Sequence, residues 1–310
     1  IVIIKMKKIL YFVFLCLMMA CNKQANTSKE ETKQDTTSAV PETSYTEYVN
    51  PLMGTDSKFS LSNGNTYPAI AVPWGMHFWT PQTGKMGDGW AYQYHAQKIR
   101  GFKQTHQPSP WINDYGAFAL MPVVGNLKIK EDERASWFSH KTETAQPHYY
   151  KVYLADYDTT VEITPTNRAA QFRFTFPESD KAYLLLDAFF KGSKVQVLPQ
   201  ERKIIGYARN NSGGVPENFH NYFVITFDKD FESVQTWGNG YKLSNKPENE
   251  GEHTGAVIGF RTKKGEQITA KVASSFISPA QALLNLQTEL GNDTFEQTQQ
   301  KALALWEAEL

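Results

Sequence analysis

The sequence predicts an all-β fold, a large antiparallel β-sandwich, followed by two C-terminal helices. Phe172, Phe174 and Phe176 alternate with polar residues, which is typical of a sheet with one buried and one wetter face. Turn residues separate many such runs at short spacing, which favours antiparallel pairing over βαβ units. Beyond Ser278 the spacing of apolar residues changes to that of a helix.

The predicted strands are short apolar or alternating runs. They are bounded by turn-forming segments such as 177–180, 210–214 and 263–266. The predicted strand regions are 127–130, 149–154, 161–164, 171–176, 183–187, 203–209, 222–227, 255–261 and 267–276. Residues 45–276 are therefore assigned to the sandwich domain.

The first C-terminal helix is predicted from its ends. Ser278 and Pro279 give an N-cap and a first-turn proline, leucines follow at helical spacing, and Gly291 ends the helix.

The second helix is predicted to begin with a capping box formed by Asp293 and Glu296. One face of this helix is still apolar at Leu310. We therefore expect residues 277–310 to be a helical linker that is truncated before a further helical domain.

The first 21 residues are predicted to be a lipoprotein signal peptide. Lys7 and Lys8 precede the apolar segment 9–20, which is too short to span a bilayer as a helix. The residues that end at Cys21 resemble a bacterial lipobox, in which the cysteine is lipidated and anchors the protein to the membrane. An ordinary secretory signal with an incidental cysteine is the alternative. The polar residues 22–44 are predicted to form a disordered tether, so we expect a lipoprotein of the bacterial cell envelope.

The composition excludes several classes of function. The 310 residues are 41% apolar, which is ample for a buried core. Lysine plus arginine equals aspartate plus glutamate at 32 each, so nucleic acid is not expected as a partner. Both cysteines, Cys16 and Cys21, lie in the signal segment, which excludes cysteine catalysis and cysteine-metal sites in the mature domain.

Two segments combine aromatic rings with hydrogen-bonding groups. Residues 101–116 contain His106, Trp111 and Asp114 without a regular apolar period, which predicts a loop that presents side chains. Residues 63–75 have the same character. Sugars have C–H faces that stack on aromatic rings and hydroxyls that need fixed donors and acceptors, so these loops suit recognition of a polyol.

These segments also carry a resemblance to a known family. The motifs NPLMGTD (50–56), GNTYP (64–68) and AVPWGM (71–76) precede the loop at 106–116 in this order. Over roughly residues 48–310 the chain resembles the N-terminal part of glycoside hydrolase family 92, the α-mannosidases.

The resemblance implies a calcium-dependent, inverting exo-α-mannosidase that acts on mannose-containing glycans. It also implies a β-supersandwich joined to an (α/α)6 barrel, of which this sequence covers only the first. The helical catalytic domain, expected in cis, would supply the catalytic acids and most calcium ligands. No residue of this chain is therefore assigned as catalytic or as a metal ligand.

Three side chains are the predicted substrate contacts, on the leaving-group side of the site. Trp90 follows Gly87-Asp88-Gly89, which fits a ring held out for a sugar to stack against; a ring tucked under its own loop is the alternative. His106 and Asp114 are expected to bind substrate. Their alternatives are a histidine that fixes a turn and an Asx-turn aspartate.

Other residues near the loops are predicted to be structural. Arg100 is expected to pair with Asp114, and Trp74, Trp79 and Trp111 are expected to wedge the loops against the sandwich or the partner domain. We expect little or no hydrolysis by the chain alone, because acid-base catalysis needs the absent carboxylates. Two other functions stay open: a lipid-anchored carbohydrate-binding module without catalysis, and a nonfunctional truncated product.

Overall fold

The structure is a computed structural model that describes residues 44–56, 66–86, 91–106 and 114–310. The strands are β1 (Phe78–Gln82), β2 (Lys98–Ile99), β3 (Gly101–Thr105), β4 (Ala119–Val124), β5 (Ser136–Trp137), β6 (Thr144–Gln146), β7 (Tyr149–Leu154), β8 (Thr159–Pro165), β9 (Ala169–Phe176), β10 (Ser179–Asp187), β11 (Ser193–Leu198), β12 (Lys203–Ala208), β13 (Asn221–Phe227), β14 (Ser233–Gly238), β15 (Lys242–Ser244), β16 (Glu248–Gly251), β17 (Gly255–Thr262) and β18 (Glu266–Ser275). The helices are α1 (Glu131–Arg134), α2 (Pro279–Glu289) and α3 (Phe295–Glu309), with short 3-10 helices at Tyr45–Tyr48, His140–Thr142, Pro199–Glu201 and Asn239–Tyr241.

Two antiparallel sheets form the body of the fold. The first sheet has the strand order β1-β3-β4-β10-β17-β14-β15, and the second has the order β16-β11-β12-β13-β18-β9-β8-β7-β6. Strands β2 and β5 form a separate pair. The predicted antiparallel sandwich followed by two C-terminal helices is confirmed.

The core lies between the two sheets. Trp79 of β1 packs edge-on against Phe172 of β9, with ring centroids 4.8 Å apart, and both side chains are fully buried. The rings of Phe118 and Phe223 also pack together, in a tilted arrangement with centroids 4.7 Å apart. Trp79 is therefore a core residue, which agrees with a structural role but not with a wedge between loops.

Helix α2 covers part of the outer face of the second sheet. Its apolar side chains form a small buried cluster with strand residues: Ala282, Leu286 and Leu290 with Ala169, Val224 and Ala273. The hydroxyl of Ser278 accepts a hydrogen bond from the backbone N–H of Gln281 at 3.1 Å, which confirms the predicted N-cap.

Helix α3 begins one residue later than the sequence predicts. Its capping box is formed by Thr294 and Gln297, which exchange hydrogen bonds of 3.2 and 2.9 Å. The prediction of Asp293 and Glu296 was wrong because both carboxylates have other partners. Asp293 pairs with Lys301 at 2.5 Å, and Glu296 pairs with an arginine of β9.

Within the residues that the structure describes, no helix has the length and apolar character needed to cross a membrane.

Two predicted segments differ in the structure. Residues 127–130 form no strand. Residues 101–105, predicted as loop, form strand β3, which pairs with β1 and β4. All five are buried, so the segment has no alternation of apolar and polar residues for a sequence pattern to detect.

Candidate functional site

The strand registers bring one set of loops together at one end of the sandwich, which we call the loop end. Strands β3, β10, β12 and β18 finish there, and β4, β11, β13 and β17 start there. The described residues of the loop end are 71–77, 106, 114–118, 147–148, 166–168, 188–192, 209–220, 239–241, 252–254 and 276–278.

His106 and Asp114 lie side by side at the loop end. The Asp114 carboxylate accepts hydrogen bonds from the backbone N–H of His106 at 2.9 Å and of Tyr115 at 2.7 Å. The His106 ring donates from Nδ1 to the carbonyl oxygen of Tyr115 at 2.8 Å. These bonds close the base of the segment between the two residues, so both side chains have a structural role as well as the predicted substrate role.

The charge of Asp114 is stabilised locally. Burial by itself would raise the pKa of Asp114, but hydrogen bonding with His106 and the charge of Lys103 outweigh it, so the pKa lies below its ordinary value. Lys103 Nζ lies 3.8 Å from Asp114 Oδ2. Arg100, the predicted partner of Asp114, instead pairs with Asp132, because it precedes β3 while Asp114 lies beyond the strand's other end.

Two buried polar atoms of His106 and Asp114 lack a hydrogen-bond partner among the described residues. These atoms are His106 Nε2 and Asp114 Oδ2. The side chains of His106 and Asp114 are only 2% and 3% exposed. A ring nitrogen and a carboxylate oxygen can each bond to a sugar hydroxyl, but both atoms are buried in this structure, so the predicted substrate role stays a prediction.

A polar network behind His106 ties the loop end to both sheets. Asn221 of β13 donates to Gln104 Oε1 at 2.9 Å and to the carbonyl of Gly116 at 2.7 Å. Gln104 Nε2 therefore faces His77 Nδ1 as the donor, at 3.3 Å. Burial lowers the pKa of His77 to about 3, so this histidine is neutral at pH 7 and cannot act as a charged group.

Gly116 is required by this network. Its φ is +64°, and a β-carbon at this position would lie 2.5 Å from Cβ of Asn221.

Aromatic side chains enclose His106 on the outer side. Its ring centroid lies 5.5 Å from that of Tyr115 and 4.9 Å from that of Phe276, and Phe219 packs against both of these rings. This wall holds the His106 ring in one orientation.

Trp74 is the most exposed aromatic residue at the loop end. Its side chain is 90% exposed, and its φ of +61° is rare for a residue other than glycine. The turn is nevertheless anchored, since Gly75 N–H bonds to the carbonyl of Val72 at 3.1 Å and Met76 N–H to that of Asn167 at 2.8 Å. Because the ring is exposed, it does not wedge this turn against the sandwich, and its predicted contact with the partner domain stays a prediction.

Trp74 is joined at the loop end by other exposed apolar side chains. Ile277, Phe190 and Phe276 are 76%, 44% and 36% exposed. The Nε1–H of Trp306 in α3 donates to the carbonyl of Ala71 at 2.7 Å, so the Trp74 turn is also fixed to the C-terminal helix. Exposed apolar side chains at one end of a domain are typical of a contact site.

Trp90, Trp111 and Cys21 lie outside the described residues. Of the residues that flank Trp90, Met86 packs against the buried cluster of Ala117, Ala119 and Phe189, and Ala91 packs with Tyr67. Tyr67 in turn interacts with Thr105, directly before His106.

A second ionic cluster, which sequence reasoning missed, lies beneath the loop end. Arg134 of α1 is fully buried and its Nη1 contacts Asp187 Oδ2 at 2.7 Å; His253 Nε2 lies 2.7 Å from Asp187 Oδ1. Burial alone would raise the pKa of Asp187, but the charge of Arg134 and hydrogen bonds from His253 and Arg134 keep it below its ordinary value. Asp187 is thus held ionised and fully paired, which is the state of a structural carboxylate.

The part of the chain that the structure describes contains no group of three or more histidine, cysteine or acidic side chains arranged to hold a metal ion. Calcium in proteins takes six to eight oxygen ligands. The described residues therefore offer no such carboxylate cluster for calcium, and we derive no chemical step from that ion.

Comparison with known proteins decides the family. The profile of the glycosyl hydrolase family 92 N-terminal domain matches residues 48–275, which is more than half of the chain. The chain belongs to glycosyl hydrolase family 92. A search of curated proteins gave no match.

Solved structures of family 92 agree with this assignment. An inverting mannosidase of the family from Bacteroides thetaiotaomicron is 44% identical, with a TM-score of 0.82, over 85% of this chain and 36% of that one. An α-mannosidase of the family from the same organism is 33% identical, with a TM-score of 0.76, over 86% of this chain and 38% of that one. The second enzyme was also solved in complex with mannoimidazole. The chain thus spans little more than a third of the length of these relatives.

Proposed function

We propose that this chain is the N-terminal domain of an exo-acting α-mannosidase, which hydrolyses terminal α-linked mannose of glycans by an inverting, calcium-dependent mechanism. Membership of family 92 supports this proposal, as do two solved relatives, which are an inverting mannosidase and an α-mannosidase. The observation that carries it is the loop end, where buried polar groups and exposed apolar side chains lie at the same end of the sandwich.

The loop end supplies a wall of the glycan site. His106 Nε2 and Asp114 Oδ2 are two of the buried polar atoms of that wall that have no hydrogen-bond partner in the described ranges; His77 Nε2 and His148 Nδ1 are others. The exposed rings around Trp74 and Phe276 offer surface for a helical domain in cis to cover. The glycan site is therefore composite, and both domains contribute side chains.

The catalytic acids belong to the other domain. Inversion needs one protonated and one ionised carboxyl, roughly 6.5–9.5 Å apart. At the loop end, Asp114 and Asp187 both have pKa values below the ordinary range and are held by fixed donors, so neither is suited to donate a proton. Calcium ligands are assigned to the same absent domain, and the isolated chain is inactive.

The test is mannose release from α-mannobiosides. The chain joined to its helical domain is expected to release mannose, and the chain alone is not. Turnover by the chain alone would contradict the assignment of the catalytic acids to the helical domain. Absence of turnover by the joined protein would contradict the enzymatic function. Calorimetric titration of the chain with α-mannobiose separates the alternative, a non-catalytic binding module, because tight binding by the chain alone would favour that module.

We also propose that the protein is a lipoprotein of the bacterial cell envelope, anchored through Cys21. The sequence ending at Cys21 supports this proposal. Metabolic labelling with a fatty acid is expected to label the protein and its Cys16→Ser variant but not its Cys21→Ser variant. Equal labelling of both variants would exclude Cys21 as the anchor.

A further inference from the structure

A groove lies on the side of the sandwich, where edge strand β15 of the first sheet meets edge strand β16 of the second. Its volume is about 590 Å³, and it is lined by residues 238–239, 242–244, 246 and 248–250. This volume falls within the usual range for small-ligand sites, about 300–1,000 Å³. Strands β3 and β14 are four positions apart in the first sheet. At about 4.8 Å per strand the groove therefore lies about 20 Å from His106 and Asp114.

The acceptors of the groove are paired with neighbouring side chains. Lys194 Nζ bridges the carboxylates of Glu248 and Glu250, at 2.7 and 3.4 Å. The hydroxyl of Tyr207 donates to Glu250 Oε1 at 2.8 Å. These contacts favour one orientation of the two carboxylates, although both side chains are solvent-exposed.

The donors of the groove are free to bind. Lys242 and Lys246 are exposed and make no ion pair with any other described residue. Asn239 uses its carbonyl oxygen to accept from the backbone N–H of His253 at 3.1 Å, which leaves its NH2 group as a donor. Leu243 adds an apolar patch to the lining.

Aromatic rings continue from the groove across the outer face of the second sheet. Glu250, Lys194, Tyr207 and Tyr222 are successive partners in register on four neighbouring strands. The ring of His220 stacks on Tyr222 with centroids 5.2 Å apart. The rings of Tyr207, His220 and Tyr222 are all half-buried. Such rings provide stacking surface for the C–H faces of sugar units.

We propose that this groove is a second carbohydrate-binding site, which takes a neutral oligosaccharide chain and is separate from the His106 and Asp114 cluster, although it shares Asn239 with the loop end. Each sugar hydroxyl both donates and accepts hydrogen bonds, and the groove places two carboxylates, two ammonium groups and an amide donor together. A charged ligand would be repelled by the groups of like charge in the groove. The hydroxyls of a polyol can donate to the carboxylates and accept from the ammonium groups. Such a site would hold a glycan chain near the catalytic cleft and raise its local concentration.

The test is affinity electrophoresis of the full chain in gels with and without yeast α-mannan; the choice of mannan rests on the proposed function. Mannan is expected to retard the wild-type chain. Lys242→Ala removes an exposed groove donor and is expected to weaken retardation about tenfold, the effect of one good contact. Lys264→Ala is the matched control, because it makes the same charge change at an exposed turn between β17 and β18 and is expected to behave as wild type.

Tyr207→Phe and Tyr207→Ala extend the test to the ring row. Loss of the hydroxyl frees Glu250 and is expected to weaken retardation, and loss of the ring is expected to weaken it further. Tyr153→Ala is the control, since Tyr153 is also half-buried on the second sheet and bonds to Asp158 at 2.8 Å.

The outcomes separate this site from the proposed function. Absence of retardation, or equal retardation of Lys242→Ala and Lys264→Ala, would overturn the groove site. The groove site would also be overturned if a loop-end variant such as Trp74→Ala abolished retardation and the groove variants did not. That result would instead place mannan binding at the loop end. A dimer in sedimentation that Lys242→Ala dissociates would assign the groove to chain pairing instead. If Lys242→Ala weakens retardation while the joined protein releases no mannose, the groove stands and the proposed enzymatic function fails.

Discussion

Replacement of Trp74 by glycine tests whether its ring serves the chain itself or something outside it. A left-handed φ costs a non-glycine residue roughly 1–2 kcal/mol, and Trp74 has a φ of +61°. Glycine removes this cost but loses more backbone entropy on folding, roughly 0.5–1 kcal/mol. The ring is 90% exposed, so its removal forfeits little burial. Trp74→Gly is therefore expected to leave the stability of the isolated chain unchanged or to raise it by up to about 1.5 kcal/mol.

Urea unfolding of the isolated chain measures this change as a shift of the midpoint at constant slope. Trp74→Ala is the control, because alanine keeps the cost of the left-handed conformation and should give no gain. In the protein joined to its helical domain, Trp74→Gly is expected to lower stability, since the ring then loses a contact. Destabilisation of the isolated chain by more than about 1 kcal/mol would refute the reasoning, because it would mean that the ring packs within the chain.

Three further predictions concern the described core and helices. Arg134→Met leaves the buried Asp187 carboxylate without its ion-pair partner and is expected to cost about 3–5 kcal/mol in urea unfolding; a loss below about 1 kcal/mol would contradict the ion-pair assignment. The pKa of Asp187 in the folded chain lies below its ordinary value of 3.8, so its contribution is present above that pH and lost as pH falls below it. The stability difference between wild type and Asp187→Asn should accordingly be constant above about pH 5 and shrink as the pH falls through about 4 and below, and an unchanged difference at low pH would contradict this. Thr294→Ala is expected to cost about 1 kcal/mol and Asp293→Ala less, and the reverse order in thermal unfolding would restore the sequence-based cap.

The strands with a clear alternation were predictable from sequence, and those without it were not. Strand β9 alternates three phenylalanines with half-buried residues, and its prediction was accurate to two residues. Strand β3 is buried throughout, although it contains Lys103 and Gln104, because residues distant in sequence cover both of its faces. Its partners, not its own pattern, determine that it is a strand.

The candidate site shows the same limit. The proximity of His106 and Asp114 follows from a short loop and could be predicted. Their inward hydrogen bonds could not, because these depend on where β3 ends and on the backbone of Tyr115. The exposure of Trp74 depends on a left-handed residue other than glycine, for which Pro73 and Gly75 give only a general turn signal.

Amide hydrogen exchange of the protein joined to its helical domain, with and without mannoimidazole, tests the central claim most directly. If the loop end is one wall of the glycan cleft, the inhibitor slows exchange in residues 72–76 and 114–118 and leaves the opposite turn at 263–266 unchanged. Unchanged exchange at the loop end in the presence of bound inhibitor would contradict the account.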